Sequence, residues 1–142
     1  MTEIDFYFHV EDKLQTACKL SAKAFGGGLR VLAWCPDEET GRKFDRLLWT
    51  TPAIGFVPHC GPDNHLAPVT PVIVDYQGTN LAHDQVLLNL RSELPEFFSR
   101  FQRLIEIVTI DEEDRRAARE RYKFYRDRGY DIRTHDMSEQ AQ

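Results

Sequence analysis

Short apolar runs rich in β-branched and aromatic residues alternate along this chain with segments whose apolar residues recur at helical spacing. "IDFYFHV" (4–10) reads as a first strand. Leu14, Ala17, Cys18, Ala22 and Phe25 then recur on one helical face, and the "GGG" at 26–28 stops that helix. "LRVLAWC" is a second strand, followed by Asp37, placed to cap a helix through "EETGRKFDRLLW" with Phe44, Leu47 and Leu48 facing inward. "PVIVDY", "QVLLNLRS" and "RLIEIVTI" supply three more strands, with a short helix expected near Pro95. A last helix opens on "DEED", acidic residues suited to the positive end of its dipole, and ends at Gly129. Strands alternating with helices predict an α/β domain, with a mostly parallel sheet of about five strands and helices on both faces. Strand order stays open, because no helix separates 71–76 from 86–91. The domain is expected over residues 1–134, with 135–142 a polar, mobile tail.

The 142 residues suit one core, and 42% apolar against 29% charged residues excludes disorder. No apolar run approaches the roughly 20 residues that span a bilayer, and the N-terminus does not read as a signal peptide. Three widely spaced cysteines, Cys18, Cys35 and Cys60, fit a reduced, cytoplasmic protein.

Charge is unevenly spread. Residues 115–133 hold eight basic side chains against three acidic ones, while the whole chain carries −5. An acidic body repels a DNA backbone, yet one basic face recruits a short acidic ligand. In the last helix Arg115, Arg119, Lys123 and Arg126 share a face. Arg119 and Arg126 lack an acidic residue three or four positions away. Glu112, Arg116 and Glu120 form a separate stripe of alternating sign. Ala118, Tyr122 and Tyr125 face the sheet, with Tyr122 bordering the basic row. Periodicity alone is equally compatible with a solvated helix laced with local ion pairs.

A second candidate surface is "LLWTTPAIGFVPH" (47–59), where Trp49, Ile54, Phe56 and Val57 follow a helix amid prolines. Such a loop either folds back as a lid or presents aromatic anchors to a partner. His59, Cys60 and His65 lie close in sequence but lack zinc-site spacing, and read as two surface histidines and a small buried thiol. No GxxxxGK[ST], GxGxxG or GxSxG occurs, and the glycine cluster precedes a strand instead of joining one to a helix. No catalytic residue, metal or cofactor is expected.

"RLLWTTPAIGFVPH" and "ARERYKFYRDRGYDI" together resemble the chi subunit family of bacterial DNA polymerase III holoenzyme. The early "FYF", the "RVL" strand and the "LxNLR" strand fall in matching order. The resemblance implies a Rossmann-like fold without a working nucleotide site, in an accessory subunit of the clamp-loader assembly that is not itself an enzyme. It implies two partners, the psi subunit and the acidic C-terminal tail of single-stranded DNA-binding protein, with DNA reached only indirectly. The tail site would fall on Val108, Arg115, Arg119, Tyr122, Lys123 and Arg126. The family has a lysine where Arg115 stands, so charge is kept but a planar fork replaces a point charge. The psi-facing surface would include Trp49, Phe56, Val57 and His59. The alternative is direct binding of single-stranded nucleic acid by the basic helix.

Overall fold

The computed structural model describes residues 1–51, 57–77 and 83–138. Among the described residues seven strands form one sheet: β1 (Glu3–Val10), β2 (Val31–Trp34), β3 (His59–Cys60), β4 (Val72–Asp75), β5 (Val86–Asn89), β6 (Arg103–Thr109) and β7 (Ile132–Asp136). Their order is β3-β4-β2-β5-β6-β1-β7, and every neighbouring pair is parallel. The α/β class is as expected, with two strands more than the sequence suggested. The two-residue β3 is too short for a periodic signal. The other, β7, has the polar sequence "IRTHD" at an open edge, where alternation of apolar residues is not required. β7 runs on through His135 and Asp136, two residues past 134; residues 139–142 lie outside the described residues.

β2, β4 and β5 are buried at every position, as parallel strands covered on both faces must be. β4 and β5, consecutive in sequence, are not neighbours; both pair with β2, which removes any need for an antiparallel strand. Helices α1 (Lys13–Gly26) and α2 (Glu38–Thr50) cover one face, where Ala17, Cys18, Phe44 and Leu48 meet Val31, Val74, Leu88 and Ile107. α3 (Glu112–Asp127) covers the other, where Ala118 and Tyr125 meet Ile4, Phe6, Leu104 and Val108. Asp12, Asp37 and Asp111 cap the three helices, each accepting from a backbone N–H three residues on. Gly28 and Gly129, at φ 79° and 82°, turn the chain out of α1 and α3. Near Pro95 the expected helix shrinks to one 3-10 turn, Phe98–Arg100.

Two charges inside the α3 face escaped the sequence reading. Glu106, in the middle of β6, is fully buried, and Arg121 on α3 is 3% exposed. Arg121 Nε lies 3.1 Å from Glu106 Oε1, close enough for ion pairing though off the hydrogen-bond line. Tyr125 Oη donates to Glu106 Oε2 at 2.8 Å, Asn89 Nδ2 reaches both carboxylate oxygens, and Arg121 Nη1 donates to Ser92 O at 2.5 Å. Burial pushes the Glu106 carboxyl up; Arg121, Tyr125 and Asn89 pull it back only part of the way. The signal in the sequence was a charge inside an apolar strand together with an arginine on the inward row of a helix.

Removing one partner of a buried pair leaves the other charge unmet. Arg121→Met is therefore expected to cost about 3 kcal/mol in urea unfolding, and the double variant Glu106→Gln/Arg121→Met to recover more than half of it. A carboxyl raised on folding contributes stability that is lost as pH rises. The single variant should accordingly lose more stability than wild type between about pH 5 and pH 8. Equal pH slopes would show that Arg121 does not neutralise Glu106.

Candidate functional site

The chain leaves β1 through α1 on one face toward β2, and leaves β6 through α3 on the other face toward β7. β1 and β6 are neighbours, so their carboxyl ends flank the point where the connections diverge, the usual crevice of a parallel α/β sheet. A pocket of about 360 Å³ opens there beneath the first half of α3. Phe6, Phe8, Val108, Ala118 and Tyr122 give it apolar walls, and Arg115 and Arg119 stand at its α3 rim. His9, Thr109 and Thr134 complete the lining from β1, β6 and β7.

Residues expected from sequence at one site thus divide into two groups. Val108, Arg115, Arg119 and Tyr122 meet around this pocket; Lys123 and Arg126 are exposed farther along α3 and do not line it. Tyr122 is half-buried, its ring edge-on to Phe6 at 5.3 Å. The network at Glu106 fixes this arrangement. With Arg121 and Tyr125 held inward, helical steps of about 100° place Arg115, Arg119 and Arg126 on one flank.

Two arginines that sequence spacing left unpaired do have partners. Arg119 Nη2 lies 3.3 Å from Glu112 Oε1, a full two turns back, and Arg126 Nη2 lies 3.3 Å from Asp127 of the next residue. Arg115 shares Glu112 at 3.7 Å. Spacing rules for three and four residues miss both: the Arg119 guanidinium reaches past the nearest turn, and Arg126 folds onto its immediate neighbour. All three arginines stay largely exposed, so such contacts are weak and exchangeable for a ligand carboxylate. Arg116 pairs with Glu113 at 2.8 Å instead of with Glu112 or Glu120. Lys123 has no ion pair among the described residues.

Asp114, which the sequence marked only as one of the acids opening the last helix, ties the crevice together. Its carboxylate accepts from Thr109 N at 2.8 Å, from Thr109 Oγ1 at 3.0 Å and from Lys13 Nζ at 3.0 Å. Burial opposes its ionisation, but these donors outweigh it and hold the carboxyl below its usual range. The first turns of α1 and α3 are thereby joined across the carboxyl ends of β1 and β6.

At the second candidate surface Trp49 is 63% exposed at the end of α2. Its ring meets His59 edge-on at 5.1 Å. His59 is not a surface histidine: its side chain is buried, with Asp45 Oδ1 at 2.6 Å from Nε2 and Val57 O at 2.7 Å from Nδ1. Val57 is packed into the α1/α2 core, so it supports this surface from beneath and does not line it. Cys60, expected to be buried, is partly exposed. Phe56 lies outside the described residues.

Comparison with known proteins places these features in context. Residues 1–133 match the family described as DNA polymerase III chi subunit, HolC. The chain is 34% identical to DNA polymerase III subunit chi of Pseudomonas aeruginosa over 142 residues, covering 96% of this chain and 98% of that one. It is 31% identical to the subunit chi of Escherichia coli, covering 84% of this chain and 82% of the relative. For that of Haemophilus influenzae the identity is 32%, covering 87% and 86%.

The Asp114 clasp is testable apart from any partner. Asp114→Ala should lower the unfolding free energy at pH 7 by about 1–2 kcal/mol. A carboxyl depressed on folding contributes stability above its unfolded value of about 4 and loses it as pH falls. The gap between variant and wild type should therefore narrow toward pH 3 in urea titrations. A gap constant with pH would mean that the carboxylate charge plays no part.

Proposed function

The chain belongs to the DNA polymerase III chi subunit family, an accessory subunit in DNA replication, and from that premise we propose that it bridges two protein partners. One is the acidic C-terminal tail of single-stranded DNA-binding protein; the other is the psi subunit, through which the chain joins the clamp-loader assembly of a cytoplasmic, nucleoid-associated replisome. The pocket beneath α3 carries the first half of this reading. Apolar walls that include Val108 and Tyr122 suit the terminal side chain of the tail, and Arg115 and Arg119 suit its carboxylates by charge-assisted, bidentate bonding. Lys123 and Arg126 extend the positive row toward acidic residues farther up the tail. Glu112 pairs only weakly with both arginines, so a ligand carboxylate can replace it.

For psi we propose the surface around Trp49 and Phe56, with His59 and Val57 as its foundation. An exposed tryptophan set edge-on against a buried, hydrogen-bonded imidazole is a rigid anchor of the kind enriched at protein interfaces. The two surfaces use different helices, so both partners bind at once. The reaction chemistry belongs to other subunits; this chain supplies attachment.

Titration with an acidic peptide ending in a phenylalanine carboxylate checks the assignment. Arg119→Ala should weaken binding about tenfold, and raising salt should weaken wild-type binding further, as exposed charge pairing requires. Trp49→Ala should leave the peptide affinity unchanged and lose psi on co-purification. Unaltered peptide binding by Arg119→Ala would sink the proposed tail site. Tight binding of naked single-stranded DNA by the full chain would favour direct nucleic-acid contact instead.

A further inference from the structure

His9 stands where β1 loses register with β6, between Tyr7 and Val10. Among the described residues it alone has a positive φ without being glycine, at 61°. A residue with a Cβ is disfavoured there, and such conformations gather at functional sites. The register shift bends the strand end and re-aims the side chain. His9 consequently borders the pocket beneath α3 and also a groove of about 520 Å³ on the opposite face.

One side of the ring is committed. Nδ1 lies 2.9 Å from Asp136 Oδ1, and the edge of the ring meets Phe8 at 4.7 Å between centroids. Asp136 is itself fixed by Ser138 N and Oγ, which together with His9 bring its carboxyl down to about 2. The carboxylate holds a proton on Nδ1. Nε2 has no hydrogen-bond partner among the described residues. In the neutral ring this atom is an acceptor and repels a carboxylate; in the charged ring it is a donor and attracts one.

We propose that His9 is a further binding residue of this pocket, donating Nε2–H to a carboxylate of the acidic ligand, so that ligand and proton bind together. This rests on the tail-binding reading above. Asp136 from β7 meets the ring; Arg115 and Arg119 from α3 line the same pocket, and His135 from β7 lines the groove on the opposite face. Across the opposite groove stand Glu11 and Asp12 before α1, and Lys19 and Lys23 on it. A ligand carboxylate held between His9 and the rim arginines accepts from Nε2–H, and so brings a proton with it. Specificity then comes from both rims: a neutral apolar peptide fits the walls but takes up no proton.

Calorimetric titration of the full chain with the same acidic, phenylalanine-ended peptide tests this at pH 6 and pH 8, in buffers of different ionisation heat. Wild type should bind about fivefold more tightly at pH 6, with proton uptake. His9→Asn tolerates the left-handed backbone and can still bond Asp136. It should lose both the pH dependence and the uptake while binding within about twofold of wild type at pH 8. His135→Gln should keep them. If wild type binds equally well at both pH values, the role of His9 is overturned and the tail site stands. Retention of the pH dependence in His9→Asn, or its loss in His135→Gln, also overturns it. No binding at either pH would remove the tail-binding reading itself, and this inference with it.

Discussion

The Glu106–Arg121 ion pair is the contact on which the geometry of this molecule turns. A carboxylate buried in the central part of a parallel sheet demands partners, and three residues from two elements supply them: Asn89 from β5, with Arg121 and Tyr125 from α3. Apolar packing alone would let α3 slide or rotate on a surface of Ile4, Phe6 and Leu104, since such contacts are non-directional. The buried charge removes that freedom by making wrong rotations costly. The outward flank, with Arg115 and Arg119 over Val108 and Tyr122, follows from what is held inward.

A second set of charges secures the far edge of the sheet. Asp5 on β1 is 2% exposed and is met by Arg103 from β6 and by Arg133 and His135 from β7. Burial opposes its ionisation, but the His135 hydrogen bond and the two arginines hold its carboxyl below the usual range. Tyr7 stacks on His135 at 4.3 Å. A short, polar strand is thereby bound to the sheet through side chains as well as through its ladder, and it places Thr134 and Asp136 beside the pocket. The basic surplus of residues 115–133 accordingly has two destinations. Arg121 and Arg133 answer acids of the fold, while the rim arginines make only exposed local pairs.

Much of this was legible in the chain itself. The cap at Asp37 fell where a carboxylate precedes a helical period, α3 began at its acidic first turn, and the inward row of α3 was read correctly at Ala118 and Tyr125. These features are local, and local sequence is enough to specify them. β3 and β7 were not legible, since one is two residues long and the other is a polar edge held by distant partners. His59 read as a surface residue because it lies in a proline-rich loop, where Val57 could equally fold back or face a partner; the burial of the His59 side chain depends on α2 and its Asp45, fourteen residues earlier, and Val57 packs into the core.

Sequence alone therefore determined the α/β class, the order of elements and the basic face of the last helix, because each follows from periodicity and short-range capping. Tertiary structure decided which arginines belong to the fold and which to the surface. It also decided where β4 and β5 insert beside β2, and how the ends of β1 and β6 open into a pocket with His9 at its lip. Those outcomes depend on pairings between residues far apart in the chain, such as Asp5 with Arg133 and Lys13 with Asp114. Spacing along one element carries no information about them.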